Sequence, residues 1–438
     1  MGHSAAKDIY KKLGEKIDSM WIRAPQKEVL YKILMELYSK EEADLIIKMP
    51  YGFSSLERIV RITGYNKTKA RNLLDSLASK GLVIDIFVRN HYMFMPSPMV
   101  IGIFEFTMMR SGSGVDHKKM AELFHEYMQG DAAFYAANFS RNNHMSLMRT
   151  LPHEEGVRDE DYVEILDYEK ASALVEATDR FAIGICSCRH KKQHLNEKKC
   201  EVPLNSCTSF GIAADYVIRH NFGKEISKSE MLKNLSISKE MGLVLNSDNT
   251  RRGIRFICQC CKCCCGMLQG ISQFGYANTL ITSSFLAEIN QDKCAGCGNC
   301  AAACPIEAIK TITVTSPDAK KNKEEPKIDN EICLGCGVCT LTCKTKALEL
   351  AKRKQRVIHP ETTFERVMLQ TLDKGTIANH LFDNPSAITQ KAMRGIIGGF
   401  IRLPSVKRAL MSDTLRSTFL ASMKIGAIIQ GRGWQTKL

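Results

Sequence analysis

Residues 294–305 read CAGCGNCAAACP, and residues 333–344 read CLGCGVCTLTCK. Cys294, Cys297, Cys300 and Cys304 are thus repeated, at identical spacing, by Cys333, Cys336, Cys339 and Cys343. Pro305 follows the first set and Lys344 takes that place after the second. Three thiolates on one tight loop reach three irons of a single cubane. The small residues between them, Gly296, Gly298, Gly335 and Gly337, let backbone amides approach its sulfides. The fourth cysteine opens a helix that points away, so it belongs to the other cluster. Two structural zinc sites are the alternative, but zinc chemistry does not ask for this repeated spacing.

The pair of motifs resembles the bacterial two-cluster ferredoxin over residues 286–351. That resemblance implies two 4Fe–4S clusters with crossed ligation. One takes Cys294, Cys297, Cys300 and Cys343; the other takes Cys333, Cys336, Cys339 and Cys304. Ser316–Lys327, rich in Lys, Asp, Glu and Pro, separates the halves and reads as a solvated insertion.

Ten more cysteines lie upstream: Cys186, Cys188, Cys200 and Cys207, then Cys258, Cys260, Cys261, Cys263, Cys264 and Cys265. Neighbouring cysteines at that density are poor disulfide partners, whereas thiolates presented in several directions from one loop suit a polynuclear soft-metal cluster. The ten exceed what one cubane needs, and the expectation is one or two additional iron–sulfur clusters. One larger or open-edged cluster, structural zinc and free redox-active thiols are the other uses. The C-x-C-R and cysteine-block pattern resembles iron–sulfur proteins of anaerobes. Arg189 and His190 beside Cys188, and Lys262 inside the second block, are the candidate cofactor-binding residues, placed to neutralise cluster charge. Binding an anionic substrate, delivering protons and, for His190, metal ligation are their other uses. Ser111-Gly112-Ser113-Gly114 lacks the strand–loop–helix context of a phosphate loop and reads as a flexible turn. No residue is assigned a catalytic role.

Outward from the cysteines the chain is ordinary: 438 residues, 44% hydrophobic and 25% charged, a prior of about three domains. No secretory signal is visible at its start, and no apolar run approaches the roughly 20 residues of a membrane span. A secreted disulfide scaffold and an integral membrane protein are thereby excluded, leaving a cytoplasmic metalloprotein of anaerobic metabolism. The net charge of +14 is uneven: residues 1–100 hold 16 basic and 11 acidic groups, residues 351–438 hold 15 and 5, and the middle is balanced. Thiolate-bound clusters would make the middle acidic between basic ends.

The fold class expected is α+β multidomain. Residues 1–100 show helical faces (Ile9, Leu13, Ile17; Leu30, Ile33, Leu34, Leu37). A capping box at Ser54 and Glu57 and a cap at Asn66 follow, and then a hairpin turning at Arg89-Asn90-His91. Helix, turn, helix and two-stranded wing resemble the winged helix-turn-helix of bacterial regulators. Residues 101–285 read as a mixed α/β cysteine-rich domain, with strands near 162–167 and 181–186 and a helix from Ser227 to about 242. Residues 286–351 are the ferredoxin-like dicluster domain, and residues 352–438 a basic helical region with Gly and Pro breaks near 395–404.

The functional expectation is low-potential electron transfer through two ferredoxin clusters and at least one further cluster to a redox partner, a flavoprotein or a catalytic oxidoreductase subunit. Two alternatives are carried. One is a reductase acting at a cluster in the ten-cysteine field. The other is a redox- or iron–sulfur-sensing regulator whose Lys67, Lys69 and Arg71 meet DNA phosphates. The C-terminal region packs on the ferredoxin domain, docks an acidic partner, or makes peripheral contact with an anionic membrane.

Overall fold

The computed structural model describes residues 2–112, 114–140, 145–162, 165–314, 323–354, 357 and 359–438. Leu13, Ile17, Leu30, Ile33 and Leu34 recur at helical spacing and are fully buried between α1 (Gly2–Asp18) and α2 (Glu28–Leu37). Ser39 and Glu42 form a capping box that starts α3 (Lys40–Lys48). Next come β1 (Ser54–Ser55), α4 (Leu56–Thr63), α5 (Lys67–Ser79), β2 (Val83–Val88) and β3 (His91–Pro96), the strands forming a sheet in the order β1-β3-β2. Asn66 caps α5 as expected. The cap of α4 is one residue later than expected: Ser55, the last residue of β1, accepts from Arg58 N at 3.3 Å. Arg89 and Asn90 both have positive φ, which matches the turn to the twist of the hairpin.

The middle of the chain begins with α6 (Phe104–Met109), α7 (His117–Gln129), α8 (Ala133–Phe139), β4 (Met148–Leu151), α9 (Asp159–Tyr162) and α10 (Ala171–Glu176). It continues through β5 (Phe181–Ile185), α11 (Ser187–His194), β6 (Asn205–Phe210), α12 (Ile212–Arg219) and β7 (Gly223–Ile226). Last come α13 (Lys228–Glu240), β8 (Val244–Asp248), β9 (Phe256–Cys260), α14 (Gly266–Ser272) and β10 (Leu280–Ile281). Seven strands form one sheet, β10-β4-β8-β9-β6-β5-β7, antiparallel except for the β10–β4 edge. Of the strand expected near 162–167, Tyr162 ends α9 and Asp167 starts a single helical turn, while Val163 and Glu164 lie outside the described residues. Asp159, Glu160 and Asp161 crowd the first turn of α9, where a helix N-terminus favours acid over the extended form. Ser113 also lies outside the described residues.

The cysteine repeat is built on β11 (Phe285–Ile289), α15 (Asn299–Ala303), β12 (Ile309–Val314), β13 (Lys323–Ile328), α16 (Val338–Leu341) and β14 (Leu348–Lys352). β11 pairs antiparallel with β14, and β12 with β13. Part of the expected insertion is therefore a strand: 323–328 pairs from Ile309–Ile328 to Val314–Lys323, and 315–322 lie outside the described residues. Charged side chains are compatible with such an edge ribbon. One apolar core runs through all of this, from Tyr10 and Leu30 past Phe104 and Leu268 to Leu350.

The remaining helices are α17 (Thr363–Asp373), α18 (Ile377–Leu381), α19 (Ile388–Ile401), α20 (Pro404–Met411) and α21 (Asp413–Ile429). The glycines at 395, 398 and 399 do not interrupt α19; the chain breaks at Leu403, and Pro404 opens α20. This region leans on the N-terminal helices. Lys374 and Asn379 donate to the carbonyls of Trp21 and Ser19 at 3.0 Å, and Arg58 and Arg432 both reach Asp383 at 2.8 Å. Arg366 faces Asp248 of β8 at 3.8 Å. No helix among the described residues is long and apolar enough to cross a membrane.

Candidate metal centres

The two halves of the cysteine repeat adopt matching conformations. Gly296 and Gly335 have φ of +65° and +62°, and Gly298 and Gly337 have φ of +71° and +80°, a region open to glycine. The fourth cysteine of each motif accepts a backbone N–H four residues on: Ala308 N to Cys304 Sγ at 3.2 Å, and Ala347 N to Cys343 Sγ at 3.3 Å. Neither fourth cysteine opens a helix as expected, since Cys304 follows the end of α15 and Cys343 the end of α16, but Cys304 still leaves its own motif. It lines one small buried cavity together with Cys333, Cys336 and Cys339. Burial, with the thiols of Cys333 and Cys304 close by, pushes the Cys336 thiol up to about 12. Thiols this hard to ionise alone are suited to a metal that supplies the missing positive charge. Cys294, Cys297 and Cys300 lie together, with Cys297 exposed, Cys294 half-buried and Cys300 buried. Residues 287–347 match the family model of the 4Fe–4S dicluster domain. No match was found among curated proteins or solved structures.

The dicluster domain joins the rest of the chain through its second half. Cys336 O accepts from His153 N at 3.0 Å, and Arg353 clamps the carbonyls of Ser283 and Phe285 at 3.0 Å and that of Cys333 at 2.6 Å. Its first half touches the upstream cysteines through Lys262, whose Nζ lies 3.2 Å from Glu307.

The ten upstream cysteines separate into two groups. Cys200, Cys261, Cys263 and Cys264 form a cage with every sulfur within 4.8 Å of the others. The other six line a chamber of about 280 Å³, whose wall Cys261 and Cys264 of the cage also reach. Cys186 caps α11 and Cys188 lies in its first turn, Cys207 is on β6, Cys258 and Cys260 are on β9, and Cys265 caps α14. Cys207 and Cys258 are register partners on adjacent strands, and Cys260 follows on the same face. Sulfur contacts run from Cys207 through Cys258 and Cys260 to Cys265 and Cys188. Phe104, Phe134 and Tyr135 line the apolar part of the wall.

Arg189 is 1% exposed between the two groups. It donates to Ser206 Oγ at 2.6 Å and to the carbonyl of Gln259, and its Nε has no partner. No carboxylate pairs with it among the described residues. Burial works against its charge, yet the sulfurs of Cys186, Cys261 and Cys260 outweigh that and raise it further above its ordinary value. A buried guanidinium needs an anion, and sulfur is what surrounds it.

Lys191, which the sequence reading missed, is the second such cation. It is 2% exposed, bonds Gln129 Oε1 at 2.6 Å, and burial pulls it down to about 8 against the sulfurs of Cys188 and Cys265. Its place three residues after Cys188, on the same helical face, was the available signal. Glu105 was also missed. It lies on the chamber wall, and burial pushes it up to about 7 against the N–H of Gly102 at 3.1 Å.

His190 does not face the chamber. Its Nδ1 lies 2.6 Å from Met108 O, and its Nε2 meets His194 Nε2 at 2.9 Å. Lys262 points to Glu307 rather than to sulfur. On α5, Lys67 pairs with Glu57, Lys69 with Glu41, and Arg71 with Asp75.

Proposed function

We propose that this chain is an iron–sulfur electron-transfer protein. Two 4Fe–4S clusters are held in crossed fashion by the dicluster domain, and at least one further cluster sits in the cysteine-lined chamber, on the six thiols outside the cage. The observation that carries the relay is Cys304 standing with Cys333, Cys336 and Cys339 around one cavity while Cys297 is exposed. That arrangement gives an outer cluster open to a redox partner and an inner one against the body of the chain. The cluster chemistry supplies one-electron transfer; the protein residues exclude water, orient the thiolates and balance charge through Arg189, Lys191 and Arg353. A reducing, cytoplasmic setting suits eighteen cysteines that are all free.

The N-terminal helices and hairpin are best read as a winged-helix-like module used for packing or protein docking. Its three candidate phosphate contacts already face carboxylates, and Tyr216 and Arg219 of α12 reach into its hairpin at Val83 and Asp85. Peripheral membrane contact is one use of the C-terminal region that its surface supports. Ile388, Ile396 and Phe400 are exposed along one side of α19, and residues 388–438 hold nine basic groups and one acid, although Lys407, Lys424 and Arg432 pair with Asp373, Glu365 and Asp383. That pattern fits anionic headgroups.

The deciding experiment is iron and acid-labile sulfide content after oxygen-free purification, with electron paramagnetic resonance of the reduced protein. More than about eight irons per chain, with signals beyond an interacting cubane pair, is expected. A fully loaded dicluster domain with no additional iron refutes the chamber cluster.

A further inference from the structure

We propose that Cys200, Cys261, Cys263 and Cys264 hold a single zinc ion in a closed tetrahedral thiolate site, separate from every iron–sulfur cluster. The argument is one of size. With a zinc–sulfur bond of about 2.3 Å, a tetrahedron of thiolates has sulfur–sulfur edges of about 3.8 Å. Here Cys200–Cys261 is 3.6 Å, Cys200–Cys264 is 4.0 Å, Cys261–Cys263 is 3.9 Å and Cys263–Cys264 is 3.5 Å. The remaining two edges are also below 4.8 Å. A cubane places each thiolate on its own iron, so its cysteine sulfurs stand wider apart than ligands sharing one ion.

The same chain supplies the contrast. Among the described residues, no three sulfurs of the dicluster domain, and no three of the chamber, come within 4.8 Å of one another; only the cage does. Four thiolates and no open position are the donor set of a structural zinc site.

The surroundings fit a staple. Cys261, Cys263 and Cys264 lie on one turn, closed by Cys265 N donating to Cys261 O at 3.1 Å and by Gln269 Nε2 donating to Cys263 O at 2.9 Å. Cys200 comes from the separate loop after α11, and Val202 and Leu243 pack against the buried side of the cage, where Cys261 and Cys264 lie. Four thiolates around a divalent ion leave a charge of about −2, and Arg189 beside Cys261 offsets part of it. The next residue along, Cys260, belongs to the chamber, and Lys262 ties the turn to Glu307 of the dicluster domain. The site thus fixes the junction across which the relay must be held.

The test is metal analysis of the full chain purified without oxygen, set beside the double variant Cys263→Ser, Cys264→Ser. One zinc per chain in the parent, and none in the variant at unchanged iron content, is expected. As a check that does not depend on the variant folding, Co2+ exchanged into the parent should show thiolate-to-cobalt charge transfer and tetrahedral ligand-field bands. Zinc-free protein whose variant loses about four irons would make the cage a cubane site and overturn the proposal. A single sulfide-free iron in the cage would overturn the zinc assignment, and a parent that takes up neither zinc nor cobalt would overturn the site altogether.

Discussion

Gly335 sits between Cys333 and Cys336, and a methyl group there has nowhere to go. A Cβ at this position would lie 2.1 Å from Phe285 O, 2.4 Å from Ser283 Oγ and 2.8 Å from Phe285 C. These atoms are fixed: Phe285 O accepts from Arg353 Nε at 3.0 Å, and Ser283 Oγ donates to Gly335 O at 2.8 Å. Gly335→Ala therefore combines about 1–2 kcal/mol for a left-handed non-glycine with about 1–3 kcal/mol for overpacking against backbone. The total of about 2–5 kcal/mol is a large part of the 5–15 kcal/mol typical of a folded domain. Gly298→Ala is the control, because its φ is also positive (+71°) but the nearest atom, Thr311 Oγ1, is 3.9 Å away. It should cost the conformational term alone. The assay is iron and sulfide per chain with visible absorbance after oxygen-free purification, and a denaturant midpoint for each variant. Gly335→Ala should lose about four irons and drop well below Gly298→Ala in stability. Equal iron content and equal midpoints in the two variants would refute this account of the loop.

Three further outcomes are expected. Cys343→Ser should disturb the cluster held by Cys294, Cys297 and Cys300, read as a change in one of two overlapping resonance signals; a change confined to the Cys333 cluster would break the crossed assignment. Arg189→Met should lower upstream iron occupancy or the potential of the chamber cluster while the dicluster irons stay, and unchanged upstream iron and potential would show that the guanidinium does not offset sulfur charge. Asp85 ties β2 to α12, 2.6 Å from Arg219 and 2.7 Å from His220. Burial raises its carboxyl, and the hydrogen bonds from His220 and Arg219 outweigh that and hold it below the ordinary range. Its stabilisation is thus present above about pH 4 and lost as pH falls through the depressed value. Asp85→Asn should cost about 1–3 kcal/mol at pH 7 and flatten the acid limb of a stability profile, and a parallel acid limb would count against the pairing.

How much of this the sequence makes legible depends on how local the cause is. The motif spacing places the cysteine loops, because four ligands and their glycines are a local pattern that no other packing reproduces. A capping box places α13 at Ser227, and a side-chain cap places α5 at Asn66, for the same reason. The β12–β13 ribbon is hidden because Lys323–Ile328 lacks apolar alternation and is strand only by pairing with Ile309–Val314. The division of the ten cysteines is hidden too. Cys260 and Cys261 are neighbours in the chain and both reach the chamber, yet only Cys261 enters the cage, because β9 ends between them. No spacing rule separates adjacent residues; the end of a strand does.

Charge shows the same limit more sharply. The basic ends of the chain read as counterweights to an acidic, cluster-loaded middle, but the C-terminal cations Lys374, Lys424 and Arg432 are engaged at Trp21, Glu365 and Asp383, away from sulfur. The groups beside sulfur are Arg189 and Lys191, inside the middle that appears neutral by count, and Arg353, at the very start of the basic end. A charge in water two domains away is screened within about 10 Å, whereas a buried guanidinium in contact with sulfur is not. On the function proposed above, balance of the metal centres is therefore a matter of these three cations beside sulfur and not of the overall +14. Removing basic residues from the C-terminal surface should leave cluster potentials where they are, while Arg189→Met should not.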